Sequence, residues 1–336
     1  MDEIIASTVN ENKVYYCARC GAEVQVLKKP VQDPKCPTLL CCGKPMTAKD
    51  AVGVTTEKDM DVKEVIKGRY DACAEQGGGE GAACCAGETA ANPSFAAEHG
   101  LYSQEELSQV PETAFTLSRG CGNPTGFADL QSDEVVVDFG CGAGIDVVLA
   151  AQRAGPSGKV LGVDFAPHMI ERARQTVKDA HVADSTTFVL ADLDKIELPD
   201  DYADVIISNC VINLTPCKVA VYREAFRILK PGGRLAISDI VYSGKVDPQV
   251  LDRFQSTWAG CVGGAIEEDT YFEILHDTGF ADIEVVARHP LASKELEEMA
   301  CCPGPEFTPA PAKEDIASVE GKVVSIKFRA NKPERS

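Results

Sequence analysis

The sequence predicts an α/β chain, in which a doubly wound, largely parallel sheet fills the larger part and a small β-rich module comes first. From residue 135 onward, buried-type apolar runs alternate with stretches whose apolar residues recur at helical spacing. A glycine-rich turn, GCGAG at 140–144, closes the first of those runs. Residues 14–46, VYYCARCGAEVQVLKKPVQDPKCPTLLCCGKPM, instead break into short β-rich pieces separated by Gly and Pro. At 336 residues the chain is long enough for two or three domains.

Net charge is −19. Residues 1–50 carry 7 basic and 6 acidic side chains, so the acid lies almost wholly in the larger part. Such a surface repels phosphate backbones and argues against nucleic acid as a partner. No apolar run reaches the roughly 20 residues that cross a bilayer, and MDEIIASTVNENK lacks the order of a signal peptide, so the expectation is a cytoplasmic protein with no membrane partner. Fifteen cysteines in a cytosolic chain point away from a disulfide scaffold and toward metal, metalloid or redox chemistry.

The first module is too small for a core, and four thiolates on one ion replace the missing apolar burial. The module holds Cys17-x-x-Cys20, Cys36 and the adjacent Cys41 and Cys42, with Gly21 and Gly43 letting the chain turn back so that backbone N–H groups can face sulfurs. Tetrahedral all-sulfur sites suit Zn or Fe, and ligand softness does not separate the two.

In the larger part, VVVDFGCGAG (135–144) is a strand running into the turn, followed by the helical pattern IDVVLAAQRAG. KVLGVDFAPHMIERARQTV gives a second strand ending at Asp164 and a helix opened by Pro167. Asp164 lies 20 residues past Gly144, where an acid ending the second strand accepts both hydroxyls of a ribose. Further strands are expected at 186–192, 204–209, 234–241, 282–289 and 323–330, the last after a long insert at 290–321. The stretch SNCVINL (208–214) ends the fourth strand at Asn209 and sets Cys210 beside the expected ligand; a thiol is a poor general base but an excellent soft ligand. Cys141 and Cys217 are read as packed small hydrophobes.

Three resemblances sharpen this reading. CxxCG followed by CCGxPM resembles desulforedoxin and the amino-terminal domain of desulfoferrodoxin, which implies Cys17, Cys20, Cys41 and Cys42 as ligands of Fe or Zn and leaves Cys36 over. DFGCGAG, VD at 163–164, AD at 191–192 and LKPGGRL at 229–235 resemble the class I S-adenosylmethionine-dependent methyltransferases, with their Rossmann-like sheet. That resemblance implies Asp138, Gly140, Gly142 and Gly144 at the methionine end of S-adenosylmethionine, Asp164 at the ribose, Asp192 and Leu193 at the adenine, and Asn209 among the cofactor-facing residues. YSQEEL, SRGCGNP (118–124), SNCVINL and AGCVGGA (259–265) together resemble the arsenite methyltransferases. This implies arsenite and methylated arsenicals as substrates, Cys121, Cys210 and Cys261 as arsenic ligands, and Cys84 or Cys85 as a redox thiol recycled by a dithiol reductant such as thioredoxin or glutathione.

The expected division is therefore 1–50, a desulforedoxin-like four-cysteine metal domain; 51–100, linker and cap with the cysteine pair; 101–288, the methyltransferase core; and 289–336, an insert with Cys301 and Cys302 and the last strand. Two rivals stand beside it: methylation of a carbon or oxygen acceptor such as a quinone precursor, and non-catalytic metalloid binding or redox sensing. The first predicts activity that survives loss of Cys210 and Cys261 together; the intact Asp164 and glycine turn argue against the second.

Overall fold

The computed structural model describes residues 62–75, 101–300 with breaks at 119, 216, 245, 247–249, 251–253 and 255–261, and 312–335, with five short strands between Val14 and Ala48. Helices α1 (Val62–Glu75), α2 (Gln104–Ser108) and α3 (Glu112–Thr116) precede strand β1 (Val135–Phe139). There follow α4 (Ile145–Ala154), β2 (Lys159–Asp164), α5 (Pro167–Asp179), β3 (Thr186–Leu190), β4 (Ala203–Asn209), α6 (Lys218–Ile228) and β5 (Leu229–Tyr242). The chain ends with α7 (Glu268–Thr278), β6 (Ala281–Pro290), α8 (Ser293–Ala300), α9 (Lys313–Val319) and β7 (Val323–Asn331).

The strands assemble in the order β3-β2-β1-β4-β5-β7-β6. Strands β1 to β5 form parallel ladders, whereas β7 runs antiparallel to both β5 and β6. Strand order reverses between β1 and β4, so the crevice at their carboxyl ends is where ligands bind in such a sheet. Val136, Val137 and Phe139 of β1 and Val205, Ile206 and Ile207 of β4 are fully buried, because helices cover both faces.

Strand β5 begins five residues earlier than the apolar run suggested: the KPGG stretch joins it through an irregularity between Leu229 and Arg234. The insert before β7 folds in part, as α8 and α9, with Leu296, Ile316 and Val319 buried. Strand β7 is stitched in at its end. The Lys332 ammonium donates to the carbonyls of Phe226 and Leu229 and to Asp201, which lets a buried cation stand at the foot of α6.

In the amino-terminal module, Val14–Tyr16 pairs antiparallel with both Glu23–Gln25 and Thr47–Ala48, and Leu40–Cys41 pairs with Lys44–Pro45. Among the expected metal ligands, Cys17, Cys20 and Cys42 lie outside the described residues, as do Cys84, Cys85, Cys261, Cys301 and Cys302.

Candidate functional site

A cavity open to solvent lies at the carboxyl ends of β1 and β4. Its floor is the glycine turn. Gly142, at φ +49°, has nothing within 4 Å of where a Cβ would sit, so its backbone borders open space. Gly140, at φ +76°, lies against Val211, where a Cβ would come within 2.3 Å of a side-chain carbon. One wall is acidic. Asp164 accepts the Gly142 N–H at 2.9 Å and the Ala166 N–H at 3.0 Å, and burial pushes its carboxyl up to about 6 despite those bonds. Asp146, in the first turn of α4, accepts from the Tyr102 hydroxyl and from the Asn209 amide, and burial raises it too. Asp138 is buried on β1, and its Oδ2 has no hydrogen-bond partner. Burial and the nearby Asp146 and Asp164 hold the Asp138 carboxyl well above the usual range.

Asp146 and Asp164 line the cavity and Asp138, with its orphaned oxygen, lies buried behind that lining; a cation relieves such a group of carboxyls. The donor set fits S-adenosylmethionine, which carries an ammonium and a sulfonium at one end and a ribose diol in its middle. Asp192 and Leu193 line the same cavity together with Phe165 and Met169.

Two thiols stand beside Asn209, Cys210 next to it in the chain and Cys121 in a segment laid over it. Segment 120–123 crosses the sheet with Gly120 over Asn209 and Gly122 over Ser238; a Cβ at either glycine would lie 2.4 Å and 2.2 Å from the nearest side-chain atom. Only the GCG pattern lets the backbone press this closely with Cys121 between the two. The Gly122 N–H donates to the Asn209 side-chain carbonyl at 3.1 Å, and the Asn209 amide donates back to the Gly122 carbonyl at 2.7 Å. Ser325 of β7 donates to the Cys121 carbonyl at 2.9 Å. Cys121 and Cys210 thus share one buried cluster with Ile240, Tyr242 and Val262.

Cys210 lines the donor cavity, and its backbone is left-handed at φ 60°. For a residue with a Cβ that conformation costs roughly 1–2 kcal/mol, and such strain gathers at functional positions. Its N–H is fixed on the Ser238 carbonyl at 2.8 Å. Cys261 is outside the described residues, but its neighbour Val262 is fully buried in the same cluster and its carbonyl accepts from Tyr242 at 3.0 Å.

Two expectations about thiols diverge. Cys141 packs as a small hydrophobe, and burial raises its thiol well above the ordinary value. Cys217 does not: it is half-buried at the start of α6 and disulfide-bonded. A packing reading needs full burial, which a helix N-cap at the edge of the sheet does not provide. Residues that sequence reasoning missed include Ile66 and Tyr70 of α1 and Tyr102 and Asp146. Ile66 and Tyr70 lie four residues apart, a helical spacing that puts both on the face α1 turns toward the cavity.

Sheet order, glycine turn and acid-lined cavity define a class I S-adenosylmethionine-dependent methyltransferase fold, and the methyltransferase-domain family model matches residues 130–279. Among curated relatives, the chain is similar to the arsenite methyltransferase of Halobacterium salinarum, 35% identical over 258 residues covering 74% of this chain and 64% of that protein. It is also similar to the arsenite methyltransferase of Aquipseudomonas alcaligenes, 38% identical over 197 residues covering 55% of each. The chain therefore spans between about half and two thirds of the length of these relatives. The solved arsenic(III) S-adenosylmethionine methyltransferase from Chlamydomonas reinhardtii shares the fold with a TM-score of 0.51 at 24% identity, over 72% of this chain and 75% of that one.

Proposed function

We propose that this chain transfers methyl groups from S-adenosylmethionine to trivalent arsenic held by Cys121, Cys210 and Cys261. The observation that carries the reading is the Asn209 clamp: one side chain borders the donor cavity and ties the Cys121 segment to the strand end that bears Cys210. The arsenite methyltransferases among its relatives support the same substrate.

Trithiolate arsenic is pyramidal, with its lone pair opposite the sulfurs. Bound S-adenosylmethionine supplies an electrophilic methyl. The protein's part is positioning: Gly140, Gly142, Asp138, Asp146 and Asp164 hold the donor, while the thiolates aim the lone pair, and no proton is abstracted. Transfer of the methyl would break its bond to the donor sulfonium, leave S-adenosylhomocysteine, and form an As–C bond that oxidises arsenic from trivalent to pentavalent. Two thiols then return two electrons by closing to a disulfide, Cys84 or Cys85 supplying one of the two sulfurs, and an external dithiol reopens it.

The amino-terminal module is read as holding one Fe or Zn on Cys17, Cys20, Cys41 and Cys42, supported by the antiparallel pairing of its short strands. A cytoplasmic location suits so many thiols; among the described residues no helix is long and apolar enough to cross a membrane. The test is incubation with arsenite, S-adenosylmethionine and a dithiol, followed by arsenic speciation. Methylated arsenic is expected; its absence under reducing conditions overturns the proposal.

A further inference from the structure

The Asn209 amide nitrogen carries two protons and faces three acceptors: the Gly122 carbonyl at 2.7 Å, the Tyr102 hydroxyl at 3.0 Å and Asp146 Oδ2 at 3.1 Å. The Tyr102 proton is already directed at Asp146, 3.0 Å from Oδ1 and 3.1 Å from Oδ2, so toward Asn209 that hydroxyl can only accept. Two protons cannot serve three acceptors fully. The acceptors also belong to different halves of the site: Asp146 lines the donor cavity, and Gly122 follows Cys121.

We infer that Asn209 is a positioning residue that couples the two halves, so that a cation on the buried carboxylates tightens the segment carrying Cys121, and arsenic held by Cys121 and Cys210 tightens the carboxylate pocket in return. The coupling rests on the arsenic-binding reading given above. An ionised carboxylate makes hydrogen bonds roughly twice as strong as a neutral acceptor, so with the cavity empty Asp146 competes well for the shared proton. A cation on the carboxylates weakens that claim. The proton then passes to the Gly122 carbonyl, where the reciprocal Gly122 N–H bond to Asn209 Oδ1 already fixes the register, and the segment is clamped at both its N–H and its C=O. Ser325 holds the Cys121 carbonyl from the other side, so Cys121 is the residue that the tightening immobilises. Coupling of this kind is reciprocal by thermodynamic necessity.

A simple donor ligand at position 209 predicts something different. Its loss would weaken donor binding and leave the ratio of arsenite affinities, with and without donor, unchanged.

The experiment is titration calorimetry on the whole, reduced protein, with arsenite added in the absence and presence of S-adenosylhomocysteine, which keeps the amino group and the ribose but cannot react. Wild type is expected to bind arsenite at least about fivefold tighter with S-adenosylhomocysteine present, with the same factor in the reverse titration. In Asn209→Ala the factor should fall to about one, whatever happens to each affinity alone. Tyr102→Phe, which removes a single oxygen and leaves two acceptors for two protons, should at least halve the factor, and it decides the matter if Asn209→Ala does not fold. A wild-type factor of one, or a factor kept in both variants, overturns the coupling alone. Failure of wild type to bind arsenite in either state overturns the proposed function and the coupling with it.

Discussion

Gly122 lies so close to Ser238 that a Cβ built on it would sit 2.2 Å from the serine hydroxyl oxygen and 3.2 Å from Cε of Lys327. Both neighbours belong to the sheet, Ser238 on β5 and Lys327 opposite it on β7, so the segment has to lift if a methyl is added. Gly122→Ala is expected to shift Cys121 and to lower arsenite methylation by roughly a hundredfold, since about 1 Å of misplacement is enough for such a loss. Donor affinity should stay within about threefold of wild type, because Gly122 is not part of the donor cavity. Parallel loss of donor binding would show that the glycine supports the fold rather than the thiol.

On the proposed reading Asp164 holds the ribose, each charge-assisted hydrogen bond contributing roughly 1.5–3 kcal/mol. Asp164→Ala should weaken donor binding at least about tenfold by calorimetry. Unchanged affinity would remove Asp164 from the donor site.

The pH dependence follows from the direction of the shifts. Burial raises Asp164 to about 6, above the value of an unfolded chain, so its protonated form favours the folded state. That contribution is complete below about pH 4 and is lost as pH rises through about 6. Donor-free protein should therefore melt higher at about pH 5.5 than at about pH 7.5, and Asp164→Asn should flatten the difference. Donor affinity should move the other way and fall as pH drops below about 6, because the ribose is best held by the ionised carboxylate. Thermal melts with and without S-adenosylhomocysteine at fixed ionic strength read both effects.

Cys210→Ser and Cys261→Ser are each expected to lower arsenite methylation by more than about a hundredfold with donor binding intact, because two thiolates leave the lone pair unaimed. Cys121→Ser should keep slow methylation of a monomethylated arsenical, which has only two thiolate positions to fill. Wild-type rates from Cys210→Ser would make its thiol packing and leave the strained backbone there without a role.

For the amino-terminal module, Cys17→Ser should lose one tightly bound ion, measured by elemental analysis after anaerobic preparation, and Cys36→Ser should keep it. A wild-type protein without Fe or Zn would end the metal reading.

The sheet could be read from the sequence because its signals are local. Runs such as 204–209 and 282–289 fall within a residue of β4 and β6, and Pro167 opens α5 where a fixed φ suits a first turn. The GCGAG turn and Asp164 were readable for the same reason. What escaped depends on pairs distant in sequence. Tyr102 and Asn209 are 107 positions apart, and nothing local tells a tyrosine in YSQEEL that its hydroxyl will meet an amide at a strand end. The reversed direction of β7 was equally hidden, since a fully buried strand has the same composition either way. Cys217 shows the opposite limit: a single cysteine in sequence reads by default as a packed small hydrophobe, and nothing local to it signals the disulfide that it makes.

Strand β7 is the last strand in the chain yet sits second from the end of the sheet, between β5 and β6. During synthesis, the edges of β5 and β6 that face each other must wait for residues 323–331 before either finds its partner. Ser325, which fixes the Cys121 carbonyl, arrives in that same strand, and Lys332 anchors it immediately afterward. The donor cavity, built between residues 66 and 215, can take shape while the chain is still on the ribosome. On the proposed reading the thiol site is finished only by β7, so a chain stalled before residue 323 should bind the methyl donor before it has a secure place for the acceptor.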